Sequence, residues 1–385
     1  MTIAQIMKPL ALYIHIPFCA AKCAYCDFAS YPHRETDWSR YFDKLVMEIR
    51  QWSEYTDFGR LSERFRVRTM FIGGGTPTLV PAEMIREIID QSRQIAPFDD
   101  DAEVTIEGNP GTLKPDKLET YRKAGVNRLS LGAQSFDDRL LRSLGRIHTA
   151  AQVGEGVRMA RDAGFSNINL DLMYALPGQG LVQWTDTLDA AMALGVEHIS
   201  AYSLIVEEGT PMAARVMRGE AIIPDEDTVN AMQRTAIDRL AKGGYRRYEI
   251  SNYAKPGFEC RHNLVYWLGG DYLGMGCAAH SLLMGRRFSN TASLEDYLSG
   301  ARMADLKVLS RQDEMEETLM LATRTVRGLD LGAWRERFGE DFIKSRASAV
   351  DRLRQWKLIE VDNGFLRLTR RGFEVQDAVV LELLD

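Results

Sequence analysis

Leu12-Tyr13-Ile14-His15-Ile16-Pro17-Phe18-Cys19-Ala20-Ala21-Lys22-Cys23-Ala24-Tyr25-Cys26-Asp27-Phe28 runs from an apolar strand directly into three cysteines spaced Cys-x3-Cys-x2-Cys. Thiolates are soft ligands that select iron–sulfur clusters, zinc or copper(I) over hard cations. Structural zinc normally takes four protein ligands in pairs. The remaining two of the five cysteines, Cys260 and Cys277, lie far from the run and supply no second pair. His15 is a fourth ligand only in principle, because its segment reads as core strand. A cubane of four irons held by three thiolates leaves one iron open to a further chelating ligand.

The wider composition is that of an ordinary folded chain. Its 385 residues suit two to three domains, or one barrel with an appendage. Hydrophobic residues make up 45% and charged residues 26%, enough apolar content for a large core. A formal net charge of −6 gives no bulk electrostatic case for nucleic acid or anionic membrane. No apolar run approaches the roughly 20 residues of a membrane span. Met1–Pro9 lacks the basic start, apolar stretch and cleavage site of a signal peptide. With the clustered cysteines, these features favour a reducing, cytoplasmic setting.

Outward from the cysteines, short apolar strands alternate with amphipathic helices. The strands are Leu10–Phe18, Val67–Ile72, Glu103–Glu107, Arg128–Gly132, Ile168–Met173 and Ile199–Ile205; between them lie helices such as Trp38–Trp52, Pro81–Arg93, Lys114–Ala124, Ala150–Ala163 and Trp184–Leu194. Such alternation predicts a parallel sheet with crossover helices, an α/β fold. Six units suggest an incomplete (β/α)6 barrel, with an open doubly wound sheet as the alternative. Further on, Asp225–Ala241 reads as helix, Tyr245–Tyr253 as strand and 256–290 as a glycine-rich segment with aromatics. Glu314–Thr325 and Asp341–Gln355 read as helices. Asp362-Asn363-Gly364 between Leu358–Val361 and Phe365–Thr369 signals a hairpin, and helices before a hairpin suggest a winged-helix-like α+β domain. The expected division is 1–210, 211–305 and 306–385.

Polar residues recur where these strands end. The second strand runs into Gly73-Gly74-Gly75-Thr76-Pro77, whose bare backbone can approach a small polar ligand. Glu107 closes the third strand, Gln134 the fourth, Arg146 follows it, and Asp171 lies in the fifth. A carboxylate at a strand end can accept hydrogen bonds from ribose hydroxyls. Taken singly each residue suits a cap or a surface; together they lie where barrel enzymes place their sites.

The cysteine run, Gly73–Pro77, Gly132–Phe136 and Asp171–Pro177 resemble the coproporphyrinogen-oxidase-like branch of the radical S-adenosylmethionine (SAM) superfamily over residues 10–285. The resemblance implies that Cys19, Cys23 and Cys26 bind a [4Fe–4S] cluster whose open iron chelates SAM. One electron from the cluster, delivered by a donor, would then cleave SAM to a 5′-deoxyadenosyl radical. It implies that Tyr13, Gly74, Glu107 and Asp171 contact or support SAM. Tyr25, Gly75, Thr76, Gln134 and Arg146 match positions that contact a second SAM in the oxidase. No residue is assigned a catalytic role.

Within that branch, the oxidase type has a fourth cysteine two residues after the third, and a long N-terminal arm. Here that position is Phe28, and nine residues precede the first strand. Cys-Asp-Phe and His262-Asn263-Leu264-Val265-Tyr266-Trp267 resemble instead the haem-chaperone type, which implies haem as ligand and apo-haem proteins as acceptors, with membrane contact only through partners. His262 is the haem-ligand candidate, weighed evenly against a histidine hydrogen-bonded into an interface. Radical decarboxylation of coproporphyrinogen III is the alternative activity, and a binding module with a structural cluster the third. Leu331–Arg371 holds ten Lys/Arg against six Asp/Glu, but the signs interleave over helices and hairpin, so nucleic-acid binding is not expected.

Overall fold

The computed structural model describes residues 7–384 apart from positions 55 and 302. Strands β1 (Lys8–Ile16), β2 (Phe65–Gly74), β3 (Phe98–Gly108), β4 (Arg128–Gln134), β5 (Ile168–Tyr174) and β6 (His198–Ser203) pair in parallel in that order. The crossovers carry α1 (Trp38–Ser53), α2 (Ala82–Ser92), α3 (Pro115–Ala124), α4 (Asp138–Ser143), α5 (Ala150–Asp162) and α6 (Leu181–Ala193). After β6 come α7 (Pro211–Met217) and α8 (Glu226–Lys242). Helices α1 and α2, α2 and α3, and α6 and α8 pack on one another along the outer face. The expected strands and helices of this half are all present, within three residues at each end except for the third strand, which begins at Phe98, five residues before the expected Glu103.

Alternation along β5 shows how one strand serves two environments. Ile168, Leu170 and Leu172 are fully buried in the main apolar core. Asn169, Asp171 and Met173 point the other way, into cavities on the inner face. Side chains two apart share a face of a strand, so the same seven residues supply core and site.

The segment after β6 departs from the sequence expectation. Tyr245–Tyr253 is not one strand but two short ones, β7 (Arg246–Arg247) and β8 (Asn252–Ala254), antiparallel to each other, with β8 antiparallel to β6. Arg247 folds back onto the carbonyls of Glu249 and Ile250 between them, which turns the chain. The glycine-rich stretch contains α9 (Arg261–Trp267) followed by β9 (Tyr272–Met275), β10 (His280–Leu283) and β11 (Arg286–Asn290), with β12 at Met303–Val308. Strand β9 returns beside β1 in parallel, and β10–β12 continue the sheet antiparallel. The result is one open sheet of twelve strands in the order β12-β11-β10-β9-β1-β2-β3-β4-β5-β6-β8-β7. It is an unclosed barrel. The first strand is therefore central, which explains why it is buried on both faces.

Beyond the sheet, three short strands, β13 (Leu329–Asp330), β14 (Ile359–Asp362) and β15 (Phe365–Leu368), and several helices enclose a second apolar core around Trp334, Phe338 and Phe342. Asn363 and Gly364 both take positive φ, 50° and 80°, as the hairpin reading requires. The expected helix Asp341–Gln355 is split into Phe342–Ser345 and Ala347–Gln355. Arg346 breaks it at φ −120°, ψ 29°, with its guanidinium on Glu340 and the carbonyl of Leu383.

Candidate cluster and cofactor site

The cysteine loop is tied to the strand ends by backbone bonds. Phe18–Cys19 pairs in parallel with Tyr31–Pro32, which closes the loop on itself. Gly75 N–H donates to the carbonyl of Ile16 and Thr76 N–H to that of Phe18, both at 2.8 Å. On the far side, Ala24 N–H donates to Leu144 and Met212 N–H donates to Ala24. The glycine run is dictated partly by this approach. A Cβ on Gly74 would stand 2.5 Å from the His15 ring, and one on Gly75 2.7 Å from the Phe18 carbonyl; Gly74 also has φ +110°.

These contacts gather the predicted residues around one cavity of about 420 Å³. Cys19, Cys23, Cys26, Tyr25, Gly74, Gly75, Thr76, Glu107, Gln134, Arg146 and Asp171 all line it. Tyr13 and His262 do not. The three thiols are free, and each has a polar neighbour: Thr76 Oγ1 donates to Cys19 Sγ at 3.6 Å, Arg146 Nη1 to Cys23 Sγ at 3.4 Å, and Ser30 Oγ lies 3.9 Å from Cys26 Sγ. Among the described residues no three His, Cys, Asp or Glu side chains stand close enough to share one metal ion. A cubane asks each thiolate to reach a different iron, so three sulfurs spread around a cavity, each beside a donor, suit such a cluster. Burial raises the Cys19 and Cys26 thiols, so loading a metal centre expels their protons.

The acidic side of the cavity is held by a different set of bonds. Glu107 Oε2 accepts the Gly74 N–H at 3.0 Å. Burial, then the proximity of Asp171, pushes Glu107 up to about 8. Asp171 is raised by burial too, while Asn169 Nδ2 (2.8 Å) and Ser130 Oγ (3.2 Å) donate to its oxygens. Two carboxylates with hydroxyl and amide donors between them can accept from a diol or an ammonium group. Gln134 sits at a register shift of the β4–β5 ladder with φ 63°, and Tyr202 donates to its Oε1 at 3.0 Å. Such a bulge re-aims a side chain at the end of a strand. Arg146 Nη2 donates to the Gly132 carbonyl at 2.7 Å, which fixes the guanidinium against Cys23.

Two expected residues lie elsewhere. Tyr13 faces a smaller neighbouring cavity of about 200 Å³ and donates to His15 Nδ1 at 3.0 Å. The other nitrogen of His15 donates to the Ala29 carbonyl, so His15 supports the cysteine loop rather than ligating. His262 is fully buried on α9, stacked on Phe71, with Nδ1 2.9 Å from Thr69 Oγ1 and Nε2 2.8 Å from Tyr266 Oη. Burial and the Arg128 charge lower it to about 3. Both ring nitrogens are engaged, so His262 offers no free axial ligand. Trp267, in the same motif, meets the guanidinium of Arg324 at 5.6 Å, as an interface residue would. Cys277 is a buried packing residue, its thiol directed at the carbonyls of Thr291 and Ala292.

Sequence reasoning missed Ser30, Ser130, Asn169 and Tyr202. Tyr202 had a signal, being at the end of the sixth strand; the others are ordinary polar residues until the sheet sets them beside the site. It also missed the rim: Phe28, Ile147 and Ile205 line the mouth and are 63%, 55% and 66% exposed.

Comparison with known proteins agrees with this geometry. The radical SAM superfamily model matches residues 13–191 and the HemN C-terminal domain model residues 309–375. Proteins named haem chaperone HemW are similar along the chain. That of Lactococcus lactis is 34% identical, covering 99% of this chain and 98% of its own. That of Mycobacterium tuberculosis is 36% identical over 98% and 95%, and that of Escherichia coli 40% identical over 71% and 70%. Coproporphyrinogen III oxidase HemN of Escherichia coli, a radical-SAM enzyme, superposes with a TM-score of 0.84 over 98% of this chain and 90% of its own at 24% identity, a likeness of fold. Membership of the superfamily implies a [4Fe–4S] cluster and SAM, which the three-thiol cavity suits. With this identity over its whole length, the chain belongs to the HemW family of radical-SAM proteins.

Proposed function

We propose that this protein binds haem at the mouth of its cluster cavity and delivers it to apo-haem proteins in the cytoplasm. Cys19, Cys23 and Cys26 would hold the cluster, while Gly74, Glu107, Gln134, Arg146 and Asp171 position SAM. When bound and reduced, the cluster supplies the electron that cleaves SAM. The chain's own part is to orient these groups, and Arg146 places a fixed positive charge beside the Cys23 sulfur. The observation that carries the reading is the exposed apolar rim of Phe28, Ile147 and Ile205 around that cavity. A flat macrocycle with apolar faces would cover it, and burial of apolar surface drives such binding. The relatives named haem chaperone support the same reading. No described helix is long and apolar enough to cross a membrane.

The test is anaerobic. The reconstituted protein is given SAM, a reductant and coproporphyrinogen III beside an active oxidase control, and separately titrated with haem. We expect no protoporphyrinogen IX, together with haem binding that falls about tenfold in Phe28→Ser/Ile205→Ser. Product formation would establish the oxidase reading instead. Cys19→Ala should abolish the cluster's absorbance and leave the apo fold intact.

A further inference from the structure

Behind the cluster cavity, the 200 Å³ cavity opens on the inner face of the sheet below α9. The two share Glu107, Ser130 and Asp171 in their walls. Arg128, the first residue of β4, projects into the smaller one and is 2% exposed. Its Nε is buried with no hydrogen-bond partner. Among the described residues, no carboxylate forms an ion pair with its guanidinium; Glu103, Asp171 and Glu107 interact with it only as charges at longer range.

The surrounding groups are, by contrast, committed to one another. Glu103 accepts the N–H groups of Arg261 and His262 and the Cys260 thiol. Asp171 is taken up by Asn169 and Ser130. His198 bonds Asn169 and Tyr248, and His262 bonds Thr69 and Tyr266. Each of these is held by its own partners, and among the described residues none of them hydrogen-bonds Arg128. Burying a cation without a partner is costly, and native interiors rarely keep one idle. A guanidinium's planar fork matches a carboxylate with two parallel hydrogen bonds.

We infer that this inner cavity is a carboxylate-binding pocket anchored by Arg128, with Ser200 and Asn252 in its wall. The carboxylate has two sources: a free small monocarboxylate, or the acid arm of a ligand seated in the larger cavity. The second rests on the haem reading, since haem carries two propionates; the first stands without it. The volume holds one short carboxylate or several waters, each about 30 Å³ in the liquid.

The full-length protein, reconstituted anaerobically, is tested with sodium propionate against neutral propionamide, and with haem against haem dimethyl ester. If the source is free carboxylate, propionate binds and raises Tm where propionamide does not, and Arg128→Met removes the difference. If the source is the arm, haem binds at least about tenfold tighter than its diester, and Arg128→Met equalises them. Arg128→Lys keeps the charge without the fork, and should weaken whichever binding is seen by at least about threefold; it serves if the methionine variant does not fold. Propionate and propionamide acting alike, together with haem and diester binding alike, would leave only water in the cavity and overturn the proposal.

Discussion

Replacing Glu107 by glutamine should abolish a pH dependence built into the sheet. Glu107 is buried and titrates at about 8 in the folded chain, against an ordinary 4.5. Between those values the native state holds a proton that the unfolded chain has released, so stability falls as pH rises through the window. At 1.36 kcal/mol per pH unit the whole interval is worth about 5 kcal/mol, of which about 3 kcal/mol falls between pH 5.5 and 8.5. Glutamine keeps an oxygen for the Gly74 N–H and cannot ionise. The metal-free protein would be unfolded in urea at both pH values, with amide exchange in β2–β4 reporting on the sheet itself. The stability difference between Glu107→Gln and the unmodified chain should grow in favour of the variant at pH 8.5. A difference that is equal at the two pH values would refute the assignment of a buried, late-ionising carboxylate.

Gly74→Ala should destabilise the fold by roughly 2 kcal/mol or more in the same urea assay, because φ is +110° and the added methyl would meet the His15 ring. His262→Ala should cost about 2–4 kcal/mol through lost packing and two broken hydrogen bonds, yet leave the haem absorption spectrum and affinity unchanged; a lost haem band would restore it as a ligand. Arg146→Met removes the donor and charge at Cys23, so the cluster's reduction potential should move to more negative values in an EPR-monitored redox titration.

The local features of the chain were written in its order of residues. The cysteine spacing, the strand–helix alternation and the Asn363-Gly364 turn depend on neighbours a few positions apart, and the structure carries all three. The cavity could be anticipated too, because parallel strands deliver their ends to one edge, and seven residues read as strand-end or loop ligands do meet around the three cysteines, with Asp171 joining them from within β5. Long-range pairing was not written there. Strand β9 inserts beside β1 although about 260 residues separate them, and no local pattern in the glycine-rich segment specifies that neighbour. The same closure buries His262 against Thr69 and Phe71 of β2, turning an attractive ligand candidate into a packed, hydrogen-bonded residue. It also leaves Arg128 facing a polar cavity with its Nε unpartnered. Sequence fixes which groups are available; which of them are satisfied is a property of the whole set of contacts, and only the folded sheet decides it.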